Sequence, residues 1–211
     1  MSTFAILLGG TVKPTKRLKQ QLTQARVIAA DSGMQHAGTL ALKPELWVGD
    51  FDSASLHLQK KHGEVPRQEF PVDKDATDGE IAIAEALRRG ATRLILVGGF
   101  GGQFDHALAH AGFLLGLAKR GMDIVMTSGD EEAHALIDQL ELDDLAVGTR
   151  LSIAPFTDLR GLTLSGVKWP LSRRDVLLGS ALTLSNVVTG TVRMSQLAGS
   201  AIVLTYPTEL E

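Results

Sequence analysis

Apolar residues along the first 130 positions follow two alternating patterns. Short continuous runs, such as Phe4-Ala-Ile-Leu-Leu8, are separated by longer stretches in which apolar residues recur every three or four positions. Continuous runs of this length are typical of buried strands, and the wider spacing is typical of amphipathic helices. The predicted strands are 4–8, 26–30, 46–48, 64–70, 93–97 and 123–127, and the predicted helices are 14–22, 34–42, 54–62, 77–89 and 105–120.

The pattern changes after about residue 130. Helical spacing fades, and short runs rich in Thr, Val and Leu alternate with Gly and Asn, which favours antiparallel strands in a sandwich or barrel. These strands are predicted at 150–153, 161–166, 181–184, 190–195 and 201–206. We therefore predict a mainly parallel-sheet α/β domain over residues 1–130, followed by a domain of antiparallel strands, a sandwich or a barrel, over residues 131–211.

Small and acidic residues follow several of the predicted strands in the first domain. These strand ends carry Gly9-Gly10, Asp31-Ser32-Gly33, Gly49-Asp50-Phe51-Asp52 and Gly98-Gly99. In a parallel sheet, ligands bind beyond the carboxyl ends of the strands, and glycines there allow close approach to the backbone. Turns after strands favour Gly, Asp and Ser in any case, so the same cluster can arise without a ligand. We favour a ligand site, because three aspartates converge on one edge.

Asp50 and Asp52 form the first acidic motif. Residues two apart in extended backbone point to the same side, which would leave their Cα atoms about 6.5 Å apart. Both side chains could then lean onto one Mg²⁺ ion, whose bonds to oxygen are about 2.0–2.1 Å long. Asp, Ser and Gly are also common turn residues, so this segment alone is equally consistent with a tight turn.

A second acidic motif, Asp75-Ala-Thr77-Asp78, opens the predicted helix 77–89. Asp75 and Asp78 are three residues apart, which brings them to one face if the helix starts early. Thr77 and Glu80 also fit a capping box, and an acid in the first turn is favoured by the helix dipole. Capping therefore explains Thr77 and Asp78 without a ligand, but it does not explain Asp75.

A glycine-rich loop, residues 98–102, leads from a predicted strand into a predicted helix. Glycine amides before a helix N-terminus can bind an anion. The loop is not a Walker A motif, because no Gly-Lys-Ser or Gly-Lys-Thr occurs in the chain. His106 and His110 are four apart and could share a metal ion, but no His-Glu-Xaa-Xaa-His pattern occurs, and we do not predict a zinc site.

Composition narrows the range of partners. Apolar residues make up 44% of the 211 positions, and the net charge of −3 gives no general attraction for nucleic acid. The absence of cysteine excludes disulfides, thiolate chemistry and Cys-based zinc sites. No basic region precedes the first apolar run, and no segment reaches the roughly 20 apolar residues that span a bilayer. We predict a soluble, cytoplasmic protein that binds neither nucleic acid nor membranes.

Two features stand out in the second half of the chain. Trp169 could stack on an aromatic ligand, although an ordinary half-buried tryptophan is equally consistent with the sequence. Ser185-Asn186 could be a polar clamp or only a turn.

The order of these motifs resembles that of the thiamine pyrophosphokinase (thiamine diphosphokinase) family. The motifs are Asp31-Ser-Gly, Gly49-Asp-Phe-Asp-Ser53, Asp75-Ala-Thr-Asp78 and Gly101-Gly-Gln-Phe-Asp105-His106, followed by Trp169-Pro-Leu and Ser185-Asn186. The resemblance covers nearly the whole chain. It implies transfer of the terminal diphosphate of ATP to the hydroxyl of thiamine with release of AMP. It also implies a Rossmann-like α/β catalytic domain that binds ATP and Mg²⁺, followed by an antiparallel β-sandwich domain that binds thiamine. The same resemblance implies a homodimer with thiamine bound near the subunit interface.

The resemblance also implies roles for individual residues. Asp50, Asp52 and Asp78 would hold Mg²⁺ and phosphates, and the catalytic set would also include Asp31, Asp75 and Asp105. Thiamine would contact Trp169, Ser185 and Asn186. The positions expected to bind ATP are Ser32, Gly33, Ser53, Thr77, Gly98, Gly99, Gly102, Gln103 and His106.

Two positions depart from the family pattern. Gln103 stands where the family usually has Arg, and His110 stands where it usually has Asn. An arginine at a transferring phosphate can contribute about 10³–10⁵ in rate. Either another cation (Lys74, Arg173 or Arg174) substitutes, or the substrate or the rate differs. Three alternatives stay open: a pyrophosphokinase for another acceptor such as a hydroxymethylpterin, a non-catalytic nucleotide or thiamine-diphosphate binding protein, and a metal-dependent phosphohydrolase.

Overall fold

The structure is a computed structural model and describes residues 2–51, 55–69 and 76–207. The predicted site residues Asp52, Ser53 and Asp75 lie outside the described residues, as does Lys74. The chain forms two compact units, residues 1–108 with 126–129 and residues 109–125 with 130–211. The predicted division at residue 130 stays a prediction.

The first unit contains most of the helices. Its strands are β1 (Thr3–Leu7), β2 (Arg26–Ala30), β3 (Leu46–Gly49), β4 (Arg67–Glu69) and β5 (Arg93–Val97), and its helices are α1 (Lys16–Gln21), α2 (Gln35–Thr39), α3 (Leu56–Lys61) and α4 (Asp78–Arg88). A 3₁₀ turn, Asp31–Met34, joins β2 to α2. Helix α5 (Phe104–Ala118) and strand β6 (Asp123–Thr127) contribute residues to both units.

Five strands of the first unit pair in parallel in the order β5-β1-β2-β3-β4. Strand β1 is flanked on both sides, since Ile6 pairs with Ile28 of β2 and with Leu96 of β5. Phe4 to Leu7 are fully buried. A strand buried on both faces requires the continuous apolar run seen here, and α4 packs against β1, β2 and β3.

Charged side chains form a network at the amino end of this sheet. Glu45, just before β3, accepts hydrogen bonds from the Arg26 guanidinium at 2.8 and 2.7 Å and also from Arg89. Glu85, in the last turns of α4, accepts from Arg88 at 2.8 and 2.7 Å and from Arg89 at 2.6 Å. These bonds, with Arg88 contributing most, lower the pKa of Glu85 to about 2 against the effect of burial. We call these five residues the amino-end network.

The second unit is built from antiparallel strands. They are β7 (Glu132–Leu136), β8 (Gln139–Leu142), β9 (Arg150–Pro155), β10 (Leu159–Val167), β11 (Leu171–Val176), β12 (Asn186–Ser195) and β13 (Ala201–Tyr206). The pairing order is β7-β13-β9-β12-β10-β11, and β8 pairs with β12. Alternate residues such as Leu151, Ile153 and Val203 point into a common apolar core, as expected when one face is buried.

The structure confirms parallel strands followed by antiparallel strands. The predicted bounds of β2, β5, β6 and β13 agree with the observed ones. The predicted strand 181–184 is wrong, because this segment is a turn in which Thr183 alone is buried and Leu182 and Leu184 are exposed. The sequence pattern also missed β7, β8 and β11. No helix in the described part of the chain is long and apolar enough to cross a membrane, and the longest has 15 residues.

Candidate active site

The carboxyl edge of the parallel sheet brings the strand-end motifs together. Gly9 and Gly10 follow β1, the turn Asp31–Met34 follows β2, and Gly49 ends β3. Gly98 and Gly99 follow β5. Because the strands are parallel and adjacent, all these segments leave the sheet at the same edge. The predicted site residues that the structure describes in these segments are Asp31, Ser32, Gly33, Asp50, Gly98 and Gly99.

Glycines at this edge allow neighbouring loops to pack backbone against backbone. The Gly10 amide donates to the Gly98 carbonyl at 2.9 Å, and the Thr11 amide donates to the Phe100 carbonyl at 2.8 Å. A Cβ atom on Gly10 would overlap both of those carbonyl oxygens, and one on Gly33 would overlap the Leu7 carbonyl oxygen. Only glycine therefore fits at these two positions, and the loops after β1 and β5 form one surface.

Asp31 and Asp50 are brought close by the same principle. A Cβ atom on Gly49 would lie 3.2 Å from the Cα atom of Asp31, so the two segments pass each other where a larger residue would crowd them. Asp31 has a left-handed backbone with φ of 40°. Both aspartates are half-buried. The edge therefore holds one carboxylate from β2 and one from β3 on adjoining backbones.

Asp78 is the first residue of α4. The Thr77 side chain accepts from the Glu80 amide at 3.3 Å, and the Glu80 carboxylate accepts from the Thr77 amide at 2.9 Å, so the predicted capping box is confirmed. Beyond the end of α4, the Thr92 amide donates to the Ser2 carbonyl at the amino end of β1. Since α4 packs along β1, β2 and β3, its first residue lies toward the carboxyl side of the sheet.

The glycine-rich loop continues from β5 into α5. Gly101 and Gly102 have left-handed φ values of 72° and 68°. Gly102, Gln103, Asp105 and His106 are all exposed. The Asp105 carboxylate accepts from the His106 amide at 2.9 Å, which places that carboxylate at the first turn of the helix.

His36, on α2, contacts the backbone of the loop that follows β1. Its Nε2 lies 2.9 Å from the Gly10 carbonyl oxygen, and since a carbonyl can only accept, Nε2 carries the proton. Burial lowers the pKa of His36, and the Gly10 and Leu8 carbonyls oppose that shift. A ring that carries a proton on Nε2 therefore holds the Gly10 carbonyl.

The three residues predicted to contact thiamine lie in the second unit. Trp169 is 53% exposed, and Lys168 Nζ lies 4.7 Å from its ring centroid. The buried Asn186 side chain accepts from the Trp169 amide at 3.1 Å and donates to the Trp169 carbonyl at 2.9 Å. Ser185 is exposed, with φ of 59°, and its amide donates to Ser152 Oγ at 2.9 Å. Asn186 thus fixes the backbone that presents the Trp169 ring.

Two of the three cations predicted to replace the family's arginine are on β11, and the third, Lys74, lies outside the described residues. Arg173 and Arg174 are both exposed there, in the second unit. His110 lies on α5 with its ring centroid 6.3 Å from that of Phe113. Residues 2–51, 55–69 and 76–207 contain no group of three His, Cys, Asp or Glu side chains placed to hold a metal ion.

Two family models match the chain in the order of its two halves. The catalytic domain of thiamin pyrophosphokinase matches residues 18–126, and the vitamin B1 binding domain of thiamin pyrophosphokinase matches residues 139–196. The chain belongs to the thiamin pyrophosphokinase family. The first match contains Asp31, Asp50, Asp78 and Asp105, and the second contains the segment that presents Trp169.

Individual relatives agree with this family. The thiamine pyrophosphokinase of Bacillus subtilis is 27% identical over 197 residues, which are 88% of this chain and 89% of that protein. Its crystal structure superposes with a TM-score of 0.86 at 24% identity, covering 99% of this chain and all of that chain. Thiamin pyrophosphokinase from Candida albicans superposes with a TM-score of 0.81 at 12% identity, covering 98% of this chain and 89% of that one. The fold is therefore shared even where the sequence identity is as low as 12%.

Sequence reasoning missed two residues that shape this edge, His36 and Trp47. The Trp47 indole Nε1 donates to the Asp31 carbonyl at 2.8 Å. Trp47 stands two residues before Gly49 in an apolar run, so the sequence signalled its burial but not its contact with Asp31.

Proposed function

We propose that the chain is a thiamine diphosphokinase, which transfers the diphosphate of ATP to the hydroxyl of thiamine. The thiamine oxygen bonds to the β-phosphorus of ATP, and the bond from that phosphorus to the α,β-bridging oxygen breaks. The products are thiamine diphosphate and AMP, and the hydroxyl proton passes to a carboxylate of the enzyme. This reaction needs mainly positioning and the neutralisation of phosphate charge.

The observation that carries the proposal is the shared carboxyl edge of the parallel sheet. Asp31 and Asp50 lie on adjoining backbones there, next to the glycine loops after β1 and β5. Both family models match in sequence order around this edge and its β-rich partner half. A chain with only a structural use for this edge would gain little from acids placed where carboxylates repel.

Mg²⁺ fits the oxygen donors that the edge offers. Asp50 and Asp78 are half-buried carboxylates on the carboxyl side, and Mg²⁺ takes carboxylates together with phosphate oxygens. We propose Asp50, Asp52 and Asp78 as its ligands, with Asp52 outside the described residues. When bound, the ion would neutralise phosphate charge. The Gly98–Gly102 loop would offer backbone amides to ATP, alongside Ser32, Gly33, Thr77, Gln103 and His106.

The second half of the chain supplies the acceptor side in this proposal. Trp169 presents an exposed ring that suits stacking on the thiamine rings. Ser185, which directly precedes Asn186, is an exposed residue whose hydroxyl could bind the same ligand. We propose that residues 1–130 form a Rossmann-like catalytic domain and that residues 131–211 form a β-sandwich domain that binds thiamine. We also propose that the protein is a cytoplasmic homodimer with thiamine bound near the subunit interface.

The decisive experiment measures AMP formation by the purified protein with ATP and Mg²⁺. We expect AMP and thiamine diphosphate only when thiamine is added. AMP formed with a hydroxymethylpterin but not with thiamine would reassign the acceptor. Phosphate released without any acceptor would identify a hydrolase, and binding of nucleotide without turnover would identify a non-catalytic binding protein.

A further inference from the structure

Two residues at the carboxyl edge have a backbone conformation that costs free energy. Asp31 has φ of 40°, and Phe51 has φ of 61°. Left-handed backbone is disfavoured for L-residues, and it is least expected for a bulky side chain such as Phe. Such conformations persist only where surrounding contacts hold them, so each of these residues requires an identifiable support.

Trp47 contacts both of them. Its indole Nε1 donates to the Asp31 carbonyl at 2.8 Å. Its ring meets the Phe51 ring edge to face, with centroids 4.9 Å apart and an interplanar angle of 82°. Trp47 is fully buried, and Phe51 is 8% exposed. One side chain therefore supports two left-handed residues that lie on different strand ends.

Trp47 is itself held from several directions. Its backbone pairs with Ala29 of β2 and Arg67 of β4, and its amide donates to the Pro66 carbonyl at 2.9 Å. The Arg67 guanidinium lies 4.9 Å from the Trp47 ring centroid and 5.3 Å from that of Phe51. The indole therefore has little freedom to follow a displaced loop.

Asp50 lies in the chain between Gly49 and Phe51, and both neighbours are held in place. Gly49 passes close to the Asp31 backbone, and the Phe51 ring packs on Trp47. We propose that Trp47 is a positioning residue that fixes the spacing between the Asp31 and Asp50 backbones, and so the geometry in which the edge binds Mg²⁺ and phosphate. The part of this inference that concerns Mg²⁺ rests on the proposed function.

The test variant is Trp47→Phe, which removes the indole donor and keeps an aromatic ring. The matched control is Phe4→Leu, because Phe4 is also fully buried in the same sheet and lies under a guanidinium, that of Arg26 at 4.3 Å. Phe4 differs in lying at the amino end of β1. A merely structural role would make the two variants behave alike.

The first readout is amide hydrogen exchange of the folded proteins, followed by mass spectrometry of peptides covering Asp31–Met34 and Leu46–Gly49. In Trp47→Phe we expect exchange of the Asp31–Met34 peptide to rise about fivefold or more, the factor that corresponds to losing one ordinary hydrogen bond. Phe4→Leu should leave this peptide unchanged. Unchanged exchange in Trp47→Phe would overturn the proposal, whether or not the chain is a thiamine diphosphokinase.

The second readout is the Mg²⁺ concentration that gives half-maximal AMP formation. We expect it to rise about five- to tenfold in Trp47→Phe and less than twofold in Phe4→Leu. An equal shift in both variants, or none in Trp47→Phe, would remove Trp47 from the positioning role. If Trp47→Phe does not fold, Phe51→Leu tests the same contact, because it keeps an apolar side chain and removes the ring that meets Trp47. An unshifted Mg²⁺ requirement in Phe51→Leu would then overturn the proposal.

Discussion

The two ends of the parallel sheet hold their acidic residues in different ways. At the amino end, Glu45 and Glu85 each accept hydrogen bonds from two arginines. At the carboxyl end, Asp31 and Asp50 are placed by close glycine contacts and by left-handed backbone near a buried aromatic pair. The comparison teaches that charge pairing stabilises one end, whereas backbone geometry brings carboxylates together at the other.

The sharpest way to separate the two ends is to neutralise one acid at the carboxyl edge. In Asp50→Asn we expect the rate of AMP formation to fall about 10³-fold, because a proposed Mg²⁺ ligand loses its charge. The midpoint of thermal unfolding should change by less than about 3 °C, because Asn keeps the size of the half-buried Asp50 side chain. Steady-state kinetics and thermal denaturation measure the two quantities.

Asp123→Asn is the control for this substitution. Asp123 is the exposed first residue of β6 and is not among the predicted site residues, so its neutralisation should leave the rate unchanged. Full activity in Asp50→Asn would remove Asp50 from the metal site.

Breaking the amino-end network should have the reverse outcome. Glu85→Gln leaves Arg88 and Arg89 without their shared carboxylate, and we expect a loss of about 1–2 kcal/mol in the free energy of unfolding. The rate of the folded enzyme should change less than twofold. Denaturant titration and steady-state kinetics on the same sample measure both effects. A rate loss larger than twofold in the folded variant would show that the two ends are coupled.

The same variant predicts a pH dependence. Because the pKa of Glu85 is lowered to about 2 in the folded protein, its ion pairs stabilise the folded state fully at pH values above the ordinary pKa of a glutamate. The contribution is lost as the pH falls from about 4.5 toward 2. The difference in unfolding free energy between the wild type and Glu85→Gln should therefore shrink as the pH falls below 4.5. A difference that stays constant down to pH 3 would contradict this assignment.

The smallest expected effect concerns the support of the loop surface by His36. In His36→Leu we expect kcat/KM for ATP to fall about fivefold, because the Gly10 carbonyl loses its hydrogen bond and the loops after β1 and β5 become less ordered. His36→Gln can place its amide near the position of Nε2, and should recover most of the loss. If His36→Gln does not restore kcat/KM, the packing of the imidazole ring rather than its hydrogen bond to Gly10 supports the loops.

Regular elements of the first unit could be predicted because their signals are local. Residues 27–30 of β2 and 94–97 of β5 are continuous apolar runs, and glycines stand just beyond several strands and helices. The strands β8 and β11 could not be predicted in the same way, because Gln139–Leu142 and Leu171–Val176 are short and rich in polar residues, and their pairing with distant strands decides their conformation.

The strand-end motifs could be located from sequence, but their contacts could not. Asp31 and Asp50 are 19 positions apart, and only the pairing of β2 with β3 reveals that Gly49 passes beside Asp31. The left-handed φ of Phe51 had no signal, because Phe is rarely found in that conformation. The roles of the individual site residues stay predictions from the resemblance, and Asp52, Ser53 and Asp75 also lie outside the described residues.

The position of β1 also constrains how the chain folds during its synthesis. β1 is completed on one side by β2 but on the other only by β5, and the Ser2 amide bonds Thr92, 90 residues away. At roughly 5–20 residues per second on a ribosome, that partner is made roughly 5–20 s later. Throughout this interval one edge of the apolar segment Phe4–Leu7 has no strand to pair with. During this interval the unpaired edge is open to self-association between nascent chains.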